Sequence, residues 1–236
     1  MEPPARETIA TRVQVVLSKI RRAAEKVGRP HGSIRLVAAT KTVGVDRILE
    51  GIEAGLSIVG ENRVQEAVPK IAALKQAPVR WHFIGQLQRR KVRSVMGLFD
   101  LIHSVDSLEL AQEIDRRAGD AGSCQDILLE VNIGSEPTKT GFHPDNIVQL
   151  VLTMAALSHI QIKGLMAIPP PTADAEMARP YFRKLRDVAT RIAEMSLPSV
   201  MMDELSMGMS SDYEVAVEEG ATLVRIGTAI FGARHV

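Results

Sequence analysis

The stretch SIRLVAATKTVGVDRILEGIEAGLSIVGEN, residues 33–62, decides the architecture. Its two apolar runs, residues 36–40 and 57–60, are nearly unbroken, the pattern of strands covered on both faces. Between them, residues 45–54 repeat apolar positions at helical spacing. A strand, a helix and a second strand in this order imply parallel pairing through a crossover. The same alternation continues outward. Further apolar runs fall at residues 80–85, 101–105, 127–133, 162–168, 204–209 and 222–226, with helical stretches at 64–75, 87–96, 108–118, 144–157, 176–195 and 213–219. Eight such strands suit a closed (β/α)8 TIM-type barrel, and the strand count favours it over an open doubly wound sheet.

Toward the amino terminus, residues 7–27 place Ile9, Val13, Val16, Leu17, Ile20 and Ala24 on one helical face and stop at Gly28 and Pro30. This is an additional N-terminal helix. The last strand has little sequence after it, so the opening helix is expected to cover the position of an ordinary eighth helix. No linker or low-complexity block divides the chain, and residues 1–236 are expected to form one domain.

Composition removes several function classes. There are 29 Lys and Arg against 28 Asp and Glu, and aromatic residues make up only 3%. That balance gives no electrostatic or stacking reason to expect nucleic acid. No apolar run reaches membrane-spanning length, and the amino terminus does not read as a signal peptide. The only cysteine, Cys124, excludes an internal disulfide and a cysteine-ligated zinc site. A cytoplasmic protein is expected. Metal-binding H-E-x-x-H, GxSxG, Walker A and GxGxxG patterns are all absent.

In a barrel the chemistry gathers at the carboxyl ends of the strands. Those positions hold Lys41, Glu61, Asn62, His82, Ser104, Asp106, Asn132, Met166, the turn Ser206–Ser211, and Arg225 through Thr228. Lys41 ends the run LVAATK. A partly desolvated amine there suits a Schiff base with an aldehyde, and equally suits a snorkelling lysine at the rim. In SMGMSSDYE, Gly208 permits close backbone approach, and Ser211 with Glu214 fits a capping box. Gly227 and Thr228 follow in RIGTAIFG. Both segments fall after the seventh and eighth strands, where barrels often bind phosphate. Met201, Met202, Met207 and Met209 are expected to fill gaps in the core. His82, in WHFIG, fits either the mouth or a hydrogen-bonded place in the core.

AATK at 38–41, GENRVQE at 60–66, HFIGQLQ at 82–88, GLMAI at 164–168, SMGMSSD at 206–212 and VRIGTAIFG at 224–232 together resemble the pyridoxal phosphate homeostasis protein family. The likeness runs in chain order from about residue 7 to residue 235. It implies a fold type III pyridoxal 5'-phosphate (PLP) barrel similar to the PLP domain of alanine racemase and of eukaryotic ornithine decarboxylase. It further implies that Lys41 holds PLP as an aldimine and that Ser206, Met207, Gly208, Ser210, Gly227 and Thr228 cradle the phosphate. Asn62, His82 and Met166 would line the site, and Arg225 would face the pyridine nitrogen. One departure is Arg90, where the family usually has asparagine before lysine. That change bears on rim or partner contacts.

The resemblance implies a role in vitamin B6 homeostasis and delivery, with PLP and apo PLP-dependent enzymes as partners. Two features point to a carrier. An arginine at the ring nitrogen makes the ring a weaker electron sink than the usual carboxylate, although racemases of similar barrel fold keep such an arginine and it does not alone exclude catalysis. In addition, the sequence holds no second domain to supply a further base. A monomer is expected for the same reason. A low-activity racemase-like enzyme, and an aldolase using Lys41 without a cofactor, are the alternatives.

Overall fold

A computed structural model describes residues 8–232. Eight parallel strands close into a barrel in sequence order: β1 (Arg35–Ala39), β2 (Ile58–Glu61), β3 (Arg80–Phe83), β4 (Leu101–Val105), β5 (Gln125–Val131), β6 (Ile160–Ala167), β7 (Val200–Ser206) and β8 (Leu223–Ile226). Closure is made by β1 on β8, with Arg35 opposite Leu223 and Ala38 opposite Ile226. A helix follows each strand: α2 (Val45–Glu53), α3 (Val64–Ala73), α4 (Val92–Val95), α5 (Leu108–Asp120), α6 (Ile147–Met154), α7 (Arg179–Ala193), α8 (Tyr213–Glu218) and α9 (Thr228–Phe231).

The opening helix, α1 (Ile9–Lys26), is capped by the Thr8 side chain, which accepts from the Thr11 N–H at 3.1 Å. Residue 7, where the sequence reading began it, lies outside the described residues. Ile9, Val13, Val16 and Ile20 are buried against α2, α8 and α9. Each such burial contributes about 1.5–3 kcal/mol. The helix thus covers the seam where α9 is too short to do so.

Two cores result from strand alternation. Val37, Ile58, Leu101, Leu128, Met166 and Leu223 fill the barrel interior, while the outward faces pack beneath the helices.

Four sequence expectations are corrected. Residues 87–96 do not form one helix: a 3-10 turn, Arg89–Lys91, leads into the single turn α4, and Gly97 ends it with φ 74°. Four cations within Arg89–Arg93 repel one another along a short path. The seventh strand begins at Val200, not residue 204, because its first half alternates between buried and exposed instead of reading as an apolar run. Accordingly Met201 is exposed and only Met207 of the four methionines is buried. Finally, Ser211 does not cap α8. Asp212 is the N-cap, its Oδ1 accepts from the Met209 N–H at 2.6 Å, and Glu214 pairs instead with Lys19 at 3.4 Å.

Candidate functional site

At the carboxyl rim of the barrel a cavity of about 590 Å³ opens between the ends of β1, β7 and β8. Lys41 and Thr42 enter it from the turn after β1, Met209, Ser210 and Ser211 from the loop after β7, and Gly227 and Thr228 from the start of α9. Arg225, at the end of β8, and Arg47, on α2, supply two guanidiniums. Ile84, Ile168 and Phe231 form an apolar wall. Arg47 donates to the Phe231 carbonyl and lies 5.9 Å from that ring's centre. Among the described residues the lining holds three cationic side chains and four hydroxyls, with no carboxylate. Such a donor set favours an anion bearing an electrophilic carbonyl.

Arg225 is almost wholly buried and fixed by neutral acceptors. One terminal nitrogen donates to the Ser206 carbonyl at 2.7 Å and to Ser206 Oγ, and the other donates to the Ala167 carbonyl at 3.0 Å. Its backbone N–H meets the Gly208 carbonyl at 3.0 Å. Burial lowers its pKa to about 10, with Glu130 and Asp212 opposing that shift, so it stays charged at neutral pH.

Beneath Arg225 a polar chain runs through the barrel. Ser206 Oγ lies 2.9 Å from His103 Nδ1, and His103 Nε2 lies 2.9 Å from His82 Nδ1. A guanidinium only donates, so Ser206 Oγ accepts from Arg225 and shares a further hydrogen bond with His103 Nδ1, and the two imidazoles share the next one, with roles set by their tautomers. Both imidazoles are neutral. Burial, then Arg35 and Arg80, depresses the His82 pKa to about 3. Burial, then His82, Arg225 and Arg35, holds His103 well below the usual range.

The residues singled out from the sequence therefore fall into two groups. Lys41, Ser210, Arg225, Gly227 and Thr228 line the cavity. His82 and Ser206 lie below it in the hydrogen-bonded chain, and Met166 lies in the interior core. Met207 faces the outer core, and Gly208 turns the chain at φ 90° with its carbonyl on Arg225. Asn62 stands after β2 with its side-chain oxygen buried and unpartnered. Arg90 is exposed and donates to Gln88 at 3.0 Å, away from the lining.

Sequence reasoning missed Arg47, His103 and Lys70. The last forms a buried ion pair with Glu61 at 2.7 Å and also donates to the Thr40 carbonyl at 2.8 Å. Its place on an amphipathic helix reads as solvated, so no local signal marks it.

A second, smaller cavity of about 280 Å³ shares Ile168 with the first and holds Gln86, Glu130, Asn132 and Lys139. Burial, reinforced by Asp106 and opposed by Arg225, raises the Glu130 pKa to about 7. Asn132 is a loop organiser, donating to the Glu136 and Lys139 carbonyls at 2.8 and 3.1 Å. Among the described residues no cluster of His, Cys, Asp or Glu could hold a metal ion, and no helix is long and apolar enough to cross a membrane.

Comparison with known proteins agrees with this geometry. The family model for the alanine racemase N-terminal domain matches residues 14–235. A pyridoxal phosphate homeostasis protein of Aquifex aeolicus is 47% identical over 223 residues, 94% of this chain and 97% of that protein. A crystal structure of an unknown protein from Bifidobacterium adolescentis superposes with TM-score 0.91 at 39% identity, covering 94% of each chain. The structure of PipY from Synechococcus elongatus with PLP bound gives TM-score 0.79 at 38% identity, covering 91% of this chain and all of that one. With that identity spread over nearly the full length, on a shared eight-stranded barrel, the chain belongs to the pyridoxal phosphate homeostasis protein family.

Proposed function

We propose that this chain binds PLP in the rim cavity, anchors it covalently through Lys41 Nζ, and holds and hands it on within the cell's vitamin B6 pool. The observation that carries the reading is the lining itself: an amine, two guanidiniums and four hydroxyls without a carboxylate. PipY, a 38% identical relative, has been solved with PLP bound, and the Aquifex relative is named for PLP homeostasis. PLP brings an aldehyde, a phosphate and an electron-accepting ring. Lys41 meets the aldehyde, and Ser210, Gly227 and Thr228 meet the phosphate, where charge-assisted bonds are strong.

Arg225 is the group we assign to the ring nitrogen. It cannot accept a proton and cannot act as the carboxylate that usually keeps that nitrogen protonated. Racemases of similar barrel fold keep such an arginine, so it weakens the electron sink without by itself deciding between holding and amino-acid turnover. Apo PLP-dependent enzymes are the proposed acceptors, and a cytoplasmic monomer is the proposed working form.

Borohydride reduction of the PLP-loaded protein, followed by peptide mass mapping, is expected to leave the pyridoxyl adduct on Lys41. An adduct mainly on Lys139 or Lys163 rejects the assignment. Alanine, serine and ornithine incubated with the same preparation are expected to stay unconverted. Turnover at or above ~1 per second, within the ordinary enzyme range, replaces the carrier with the racemase-like reading.

A further inference from the structure

The segment that presents Lys41 is a strained turn. Thr40 through Val43 close a reverse turn, with the Val43 N–H on the Thr40 carbonyl at 2.9 Å. Thr42, in the third position, has φ 63°. A positive φ at that position is the mark of a type II turn and is normally given to glycine or asparagine. In a β-branched residue it is a true outlier, maintained only where the surroundings over-determine it. The Thr42 side chain is exposed at the cavity and takes no part in the core. Packing therefore gives no reason for threonine here.

The surroundings do over-determine the turn, and all from one side. The Thr40 N–H bonds to the Gly60 carbonyl at 3.0 Å, its hydroxyl donates to Glu61 Oε1, and its carbonyl accepts from Lys70 Nζ. Beyond Lys41, the Thr42 N–H donates to Glu66 Oε2 at 3.1 Å, while its hydroxyl donates to the Lys41 carbonyl at 2.6 Å. Glu66 and Lys70 stand four residues apart on α3 and so share one face. The residues on both sides of Lys41 are thus clamped by the same helix and the end of β2.

We propose that Thr42, Glu61, Glu66 and Lys70 are positioning residues for Lys41, and that backbone strain at Thr42 is retained to aim its amine into the cavity. This rests on the reading of Lys41 as the PLP anchor. Glycine at position 42 adopts the same φ at no steric cost, so it relaxes the turn without emptying any core site. Lys70→Met would strand a buried Glu61 carboxylate and strongly destabilise the fold, which makes Thr42→Gly and Glu66→Ala the informative variants.

Each full-length variant is compared with the wild type for urea midpoint, PLP dissociation constant and rate of borohydride trapping at Lys41. Thr42→Gly is expected to keep or raise the urea midpoint while weakening PLP by about tenfold, since small misplacements of a reacting group are costly. Glu66→Ala is expected to weaken PLP similarly, and Glu66→Gln, which keeps an acceptor for the Thr42 N–H, to restore it. PLP affinity within twofold of wild type in both Thr42→Gly and Glu66→Ala overturns the proposal. A loss of affinity accompanied by a matching loss of stability also overturns it, because the turn would then be merely structural. Failure to trap Lys41 in the wild type refutes the site assignment itself. Trapping there with unaltered variants refutes only the turn.

Discussion

Glu130→Gln tests the electrostatics of the rim through stability alone. Burial first, and Asp106 second, raise the Glu130 pKa from 4.5 to about 7, against the pull of Arg225. A raised carboxyl pKa means that the folded chain binds the proton more tightly than the unfolded chain does. Its contribution to stability is therefore complete below pH 4.5 and is lost as the pH rises through 7. At 1.36 kcal/mol for each pKa unit, the whole span is about 3 kcal/mol, and about 2 kcal/mol of it falls between pH 5 and pH 7.5. Glutamine keeps the shape and cannot ionise.

Other titrating groups act in both proteins and cancel in the difference. His82, held at about 3, works in the opposite sense: its contribution is present above pH 6.5 and is lost as the pH falls. Urea denaturation of both proteins at half-unit steps from pH 5 to pH 7.5 gives the difference curve. Glu130→Gln is expected to gain about 2 kcal/mol on the wild type across that range. Parallel curves would refute the reasoning, because Glu130 would then be ionised throughout, with Arg225 outweighing its burial.

Two further predictions follow from the same contacts. His82→Leu and His103→Leu each leave a buried partner without its hydrogen bond, at about 1–3 kcal/mol. The double variant is expected to cost less than their sum by about 1 kcal/mol or more in chemical denaturation, whereas strict additivity would dissolve the pairing. Gly227 has φ −119° and so needs no glycine for its backbone, but a Cβ there would meet the Ala39 carbonyl at 3.0 Å. Gly227→Val is expected to weaken PLP more than pyridoxal by about tenfold, one charge-assisted bond's worth. Equal losses measured by titration of the two ligands would put the phosphate elsewhere.

The legible parts of this fold are those whose cause is local. The continuous apolar runs of the strands and the helical spacing of α1 report burial directly, residue by residue. The opening of β7 was hidden because Met201 and Asp203 face outward at the lower end of the barrel. The single turn of α4 was hidden by a pattern that fits a longer helix. At the site, Lys41, Gly227 and Thr228 could be found because strand ends and glycine turns leave marks in a sequence. His103 could not. It sits in the run LIHSV, and only barrel closure decides that its ring faces Ser206 on β7.

The two buried cations at the rim differ in a way that sequence does not reveal. Lys70 is matched by Glu61, so its charge is offset within the folded chain. Arg225 donates only to uncharged groups: the carbonyls of Ser206 and Ala167 and the Ser206 hydroxyl. Burying a charge with neutral acceptors carries a desolvation cost that an ion pair would reduce, and the lowered pKa of Arg225 expresses that cost. Glu130 and Asp212 oppose that lowering, although burial raises the pKa of each, and both histidines below are neutral. Among the described residues, the lining of the cavity above carries three cationic side chains and no carboxylate. An anionic ligand complements such a lining. That is the physical reason for the folded barrel to favour a phosphate-bearing occupant over its uncharged counterpart, and in the proposed reading Lys41 would choose among anions by their aldehyde.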